Sequence, residues 1–224
     1  MRYGTTMGCF NAIIFDLDGT LVHSAPDMQA AANAALADLG RPPLDLATIT
    51  SFVGNGVEKL MERCLAAGGS MSPDLLPVAL TRFRRHYDAN LTTLTRPYPG
   101  VVDCLARLRY TGCKLAVCTN KPVGPARTIC AQLQLDGFFH AITGAEPGLS
   151  RKPDPQPLLA TVTRLGVPAA ETLYVGDSGV DFATARNAGI AFRLFSGGYR
   201  AGPIPGLDAA QIFDDWASSG LFRT

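Results

Sequence analysis

The chain is expected to fold as a doubly wound α/β structure, with a parallel sheet and a helical insertion after the first strand. Three features say so. Short β-prone stretches recur that are apolar throughout rather than alternating, as a parallel sheet covered on both faces requires. Each ends in a polar or glycine-rich turn, and helical patterns fall between them, the alternation that marks doubly wound sheets. Residues 24–94 break that rhythm and read as helices only.

The first strand is Ala12 to Phe15, stopped by the acids Asp16 and Asp18. Four helical patterns follow without a strand: Pro26 to Leu39, Leu46 to Phe52, Gly56 to Ala67 and Pro73 to Leu91. Thr95 to Gly100, with two prolines and a glycine, reads as the linker returning to the core. Val101 to Leu108 spaces its apolar residues by three and four, a helix. A second strand, Lys114 to Cys118, runs up to Thr119. A helix around Ala126 to Leu133 and a weaker strand, His140 to Thr143, come next. Pro155 to Leu165 is helical, Thr172 to Val175 is a strand ahead of Gly176 and Asp177, and Asp181 to Ala188 is a further helix. Ile190 to Leu194 is the last strand, and the segment around Trp216 reads as a helix. The expected division is a Rossmann-like core of residues 1–23 and 95–224 and a helical domain of residues 24–94.

With 47% hydrophobic and 17% charged residues in a chain of 224, the composition suits a globular protein with a sizeable core. A net charge of +1 and the lack of a long basic stretch predict neither nucleic-acid binding nor attraction to an acidic membrane. Six cysteines lie scattered with no C-x-x-C pair, which points to buried, reduced thiols in a cytoplasmic protein. The first eight residues lack the apolar stretch of a signal peptide and read as a frayed leader, with Met7 an alternative start.

Ligands of open α/β sheets bind beyond the carboxyl ends of the strands, so the polar residues there should gather at one mouth. They are Asp16, Asp18 and Thr20 from the first turn, Thr119 and Asn120 from the second, and Asp177 and Asp181 near the next. Lys152 joins them from a loop before Pro153. So many acids repel one another unless a hard cation sits among them, and an oxygen-only donor set favours Mg²⁺. A cation, a lysine and a hydroxyl make a trap for a phosphoryl group. One carboxylate can then attack phosphorus to form an aspartyl-phosphate, while the other moves protons. Taken singly these residues are ordinary: Asp177 and Asp181 also suit the start of a helix, and a lone loop lysine is usually solvated.

In chain order, Asp16 to Leu21 (DLDGTL), Thr119-Asn120, Lys152 to Pro155 (KPDP) and Gly176 to Asp181 (GDSGVD) resemble the four motifs of the haloacid-dehalogenase superfamily of phosphohydrolases. The resemblance implies Asp16 as nucleophile, Asp18 as general acid and base, and Thr119 and Lys152 as phosphoryl ligands. It places Mg²⁺ on Asp16, the Asp18 carbonyl and Asp177, with Asp181 in support, and makes residues 24–94 a cap that closes over the site. Within the superfamily, Ser51 to Val57 (SFVGNGV), Tyr98 to Gly100 and Cys118 to Pro122 (CTNKP) are similar to bacterial phosphoglycolate phosphatases. That likeness implies hydrolysis of 2-phosphoglycolate and brings Asn120, Gly54 and Asn55 into the substrate site. His23 departs from it, standing where such enzymes carry an acid. A sugar-phosphate phosphatase, a phosphoglucomutase and a non-catalytic phosphate-binding module remain alternatives. The expected partner is a small phosphorylated metabolite, and the expected assembly a monomer or homodimer.

Overall fold

A computed structural model describes residues 10–69, 74–200 and 202–220. The expected leader and Cys9 lie outside these residues. Strands β1 (Ala12–Phe15) and β2 (Val22–His23) lead into four helices, α1 (Ala25–Ala37), α2 (Leu46–Phe52), α3 (Val57–Ala67) and α4 (Leu75–Asp88). The chain returns through β3 (Arg96–Pro97) and α5 (Val101–Tyr110) to β4 (Lys114–Pro122) and α6 (Val123–Gln132). Then follow β5 (Ala141–Ala145), α7 (Gln156–Leu165), β6 (Thr172–Gly176), α8 (Gly179–Ala188), β7 (Ala191–Phe195) and β8 (Ile212–Phe213).

Six strands form one sheet in the order β5-β4-β1-β6-β7-β8, every neighbouring pair parallel. β1 shows why its run is apolar throughout. Alternate side chains point to opposite faces, and both faces are covered. Ile13 and Phe15 pack with α5, α6 and the inserted helices, whereas Ala12 and Ile14 pack with α7 and α8. Burying each large side chain of this strand contributes about 1.5–3 kcal/mol.

The linker stretches hold a pairing that the sequence pattern does not show. β2 and β3 pair antiparallel, Val22 with Pro97 and His23 with Arg96, so both crossings into the helical segment run side by side. Two-residue strands carry no periodicity to read. β8 is hidden for the same reason. The segment around Trp216 is a correction: residues 214–218 form turns, not a helix. Trp216 is buried against Phe15, Phe195 and Phe213, with ring centroids 6.0, 5.4 and 5.1 Å away. An aromatic residue that fills a core needs no regular element around it.

One buried acid ties the two crossings together. Asp27, in the first turn of α1, accepts the backbone N–H of Leu94 and of Thr95 (2.7 Å) and the Thr95 hydroxyl (2.7 Å). Deleting it strands the buried N–H and hydroxyl of Thr95, which costs about 1–3 kcal/mol. Asp27→Ala is therefore expected to lower Tm by roughly 3–10 °C in a chain of this size. An unchanged melting curve would show that the crossings are held by something else.

Candidate active site

Asp16 is still part of the sheet, since its N–H donates to the Val175 carbonyl at 2.8 Å. The chain then turns sharply: the N–H groups of Thr20, Leu21 and Val22 all point to the Leu17 carbonyl. Gly19 makes this possible with φ +85°, a conformation that side chains disfavour. A Cβ there would also overlap the Asp177 carboxylate. Asp18 is thereby set beside Asp16, and Thr20 reaches Asp177 with a 2.9 Å hydrogen bond to Oδ1.

Asp177 follows β6. Asp181 lies one turn along, inside α8, where it completes a capping box with Ser178: Ser178 N–H and Oγ both donate to Oδ2. Ligand oxygens of Asp16, Asp177 and Asp181, all buried, lie within 4.8 Å of one another. Lys152, equally buried, projects its Nζ among them, 2.6 Å from Asp181 Oδ1 and 2.9 Å from Asp16 Oδ1. It also donates to the Tyr174 hydroxyl at 2.9 Å. The loop bearing Lys152 is clamped by Asn120, whose Oδ1 accepts the Lys152 N–H and whose Nδ2 donates to the Lys152 carbonyl. The same Nδ2 reaches the Gly54 carbonyl of the helical segment at 3.2 Å.

The charges divide unequally. Burial raises the Asp16 carboxyl to about 6 against the pull of Lys152. Asp177 goes up well above the usual carboxylate range, through burial first and then Asp181 and Asp16. Asp181 goes down: burial opposes its charge, but Lys152, Ser178 and Tyr174 outweigh it. Lys152 stays above the ordinary range, because Asp16 and Asp181 overcome the desolvation.

Does this cluster suit a cation? Its donors are carboxylate oxygens only, which select a hard divalent ion. Burial pushes the nearby Cys118 thiol up to about 12, so it stays protonated and outside the ligand set. Asp16 Oδ1 is the telling atom. It is buried and makes no hydrogen bond, its contact with Lys152 being an ion pair without hydrogen-bond geometry. An orphaned carboxylate oxygen between two further acids fits a metal ligand. Both oxygens of Asp181 are already engaged, so Asp181 is better placed to orient Lys152 than to bind directly.

Asp16, Asp18, Thr119, Asn120, Lys152 and the Gly54 backbone line one cavity of about 230 Å³ between sheet and inserted helices. Asn55 is not brought there. Its Oδ1 accepts from Arg63 at 3.0 Å, and it lines a separate surface hollow. The motifs alone assign no part to Lys121, Tyr87 or Tyr199. Lys121 Nζ lies 3.1 Å from Asp18 and 2.6 Å from the Tyr87 hydroxyl. Tyr199 donates its backbone N–H to Asp177 Oδ2 at 2.7 Å, and its hydroxyl accepts the N–H groups of Ser24 and Ala25. A Cβ at Gly198 would overlap Asp177, so the glycine before Tyr199 lets this loop sit on the acid. The His23 ring lies tilted against that of Tyr199, and its Nδ1 contacts the Tyr199 hydroxyl at 3.1 Å.

The model of the haloacid dehalogenase-like hydrolases matches residues 13–195, most of the chain. The chain belongs to that family. It is 49% identical to a phosphoglycolate phosphatase of Cereibacter sphaeroides over 203 residues, 90% of this chain and 92% of that one. A phosphoglycolate phosphatase of Rhodospirillum rubrum is 42% identical across 93% of this chain and 89% of its own. The crystal structure of a predicted phosphoglycolate phosphatase from Haemophilus somnus superposes with a TM-score of 0.88 at 33% identity, covering 94% and 96% of the two chains. This hydrolase acts on phosphoric monoesters. Among the described residues no helix is long and apolar enough to cross a membrane.

The raised acids set a pH dependence. With the Asp16 carboxyl moved from 3.8 to about 6, the folded chain holds more protons than the unfolded one between those values, so this group's contribution to stability falls as pH rises through that window. A cation needs the carboxylates bare and removes the repulsion left above it. Saturating MgCl₂ is expected to raise Tm by roughly 4–8 °C at pH 7.5, and far less at pH 5. Equal shifts at both values would contradict the raised Asp16 and Asp177 carboxyls.

Proposed function

We propose that this chain is a magnesium-dependent phosphatase that hydrolyses 2-phosphoglycolate to glycolate and phosphate through an aspartyl-phosphate on Asp16. The observation that carries it is the Asp16 carboxylate on the wall of the cavity, its buried Oδ1 2.9 Å from Lys152 Nζ and beside the acid pair. Asp16 attacks phosphorus, and the ester bond to the glycolate oxygen breaks. That oxygen takes the proton held by Asp18. Asp18 then removes a proton from water as the water attacks the phosphorus of the aspartyl-phosphate, which frees phosphate and restores Asp16.

Lys152 and Thr119 hold the phosphoryl oxygens, and Asp181 keeps Lys152 aimed. Mg²⁺, held by Asp16, Asp177 and the Asp18 carbonyl, supplies further neutralisation of phosphoryl charge when bound. Residues 24–94 act as the cap on a core of 1–23 and 95–224: they put apolar Met28, Val53, Leu60 and Phe83 over the acids, which excludes water and strengthens the electrostatics inside. The small cavity suits a short ester, and the names of the relatives support phosphoglycolate. Gly54 contributes through its backbone, whereas the turn of Asn55 toward Arg63 supports no substrate role for its side chain.

Phosphate release from 2-phosphoglycolate, measured with and without Mg²⁺, tests the reading. Asp16→Asn is expected to cut kcat at least about 1,000-fold, the scale of losing a nucleophile. Asp18→Asn should lose about 100- to 10,000-fold by forfeiting proton transfer. Wild-type rates from Asp16→Asn would refute the nucleophile, and wild-type silence on every phosphate ester tried would refute the enzyme.

A further inference from the structure

Lys121 is a buried cation that the phosphoryl chemistry leaves without a task. It ends the Thr119-Asn120-Lys121 run of β4 and lines the same cavity as Asp16 and Lys152. Its Nζ lies 3.1 Å from each carboxylate oxygen of Asp18, 2.6 Å from the Tyr87 hydroxyl and 4.7 Å from the centre of the Tyr87 ring. Desolvation works against its charge, yet Asp18 and Tyr87 outweigh it and keep the ammonium protonated. Ser24 Oγ adds a 2.5 Å hydrogen bond to Asp18 Oδ1. Asp18 is thus clasped on both oxygens, which leaves neither free to meet a leaving group.

Geometry says where the rest of the substrate must fall. For Asp18 to protonate the ester oxygen, that oxygen must lie within hydrogen-bond reach of it. In phosphoglycolate the carboxylate carbon is two covalent bonds from the same oxygen. The carboxylate therefore arrives beside whatever cation touches Asp18, and that cation is Lys121. Two other cations line the cavity. Lys152 is committed to Asp16 and Asp181, and Arg84 stands on the exposed side of α4.

We propose that Lys121 recognises the substrate's carboxylate by exchanging partners. In the empty site it clasps Asp18; in the loaded site it turns to the carboxylate and releases Asp18 for proton transfer. This deepens the phosphoglycolate reading and rests on it. No covalent bond changes in the exchange, and Lys121 keeps its proton throughout. An ester without the carboxylate leaves the clasp shut, so it loses kcat as well as binding.

The test compares kcat and KM for 2-phosphoglycolate and for 2-hydroxyethyl phosphate, which carries a hydroxymethyl group in place of the carboxylate. Wild type should favour phosphoglycolate at least about 100-fold in kcat/KM, the scale of a desolvated charge pair, with much of the difference in kcat. Lys121→Met should bring that ratio to within about tenfold of unity, while Arg84→Met keeps the wild-type ratio. If the methionine variant does not fold, Tyr87→Phe, which deletes only the hydroxyl steering the ammonium, should still lower the ratio several-fold. A folded Lys121→Met that keeps the preference overturns the proposal and leaves phosphoglycolate standing as substrate. So does an Arg84→Met that loses it, or a wild-type ratio in Tyr87→Phe where Lys121→Met cannot be made. A wild type indifferent between the two esters overturns both.

Discussion

Everything at this site follows from the repulsion of three buried carboxylates. Two unit charges at the 4.8 Å limit within which Asp16, Asp177 and Asp181 lie repel by roughly 3 kcal/mol at an effective dielectric of 20. Lys152 touches two of the three and relieves Asp181 most fully. Among the described residues Asp177 meets no cation, only Thr20 and the Tyr199 N–H, and burial, then Asp181 and Asp16, push its carboxyl well above the ordinary range. The unneutralised charge therefore lies at Asp177, the one acid of the three that Lys152 does not touch. That asymmetry divides the site between a fixed ammonium and a place for a second positive group, the two poles a phosphoryl group needs.

The sheet order is what forces these groups together. β1 is flanked by β4 on one side and β6 on the other, and the chain reverses direction across the sheet at that point, the position where open α/β sheets bind ligands. Phe15 is level with Val117 and Val175, so Asp16 stands level with Cys118 and Gly176. Thr119 and Asp177 then project one residue further on either side of it. A strand shifted by one residue would send Asp16 to the opposite face of the sheet and dissolve the site. Strong register is available here because Ile13 and Ile14 are each buried on their own face.

The sheet strands β1, β4 and β6 were legible because an uninterrupted apolar run that stops at an acid or a hydroxyl suits a buried parallel strand and little else. The acids were legible for the same reason: carboxylates beside apolar strand ends demand a cause. What the sequence hid was relational. Tyr87 lies on a helix where an aromatic residue at core spacing reads as packing, and Phe83 beside it is packing, with ring centroids 5.2 Å apart. Nothing local distinguishes the one whose hydroxyl meets Lys121. Asn120 reads as a substrate ligand, yet its amide serves as a three-way clamp on Lys152 and Gly54. Asn55 neighbours Gly54, but Arg63, eight residues on, holds it elsewhere.

The start of α1 shows how the inserted helices and the chemistry share their contacts. A helix begins with N–H groups that want acceptors, and a serine at its N-cap ordinarily supplies one. Ser24 does not; its hydroxyl donates to Asp18 instead. The Ser24 and Ala25 N–H groups are met by the Tyr199 phenol, from a loop whose own N–H holds Asp177. Capping has been handed from the helix's own serine to a residue that also holds Asp177, and the freed serine reaches Asp18, the acid proposed to move protons. One chain of hydrogen bonds thus runs from Asp177 through Tyr199 and Ser24 to Asp18. The start of the insertion cannot swing without loosening its grip on an acid at each end of that chain.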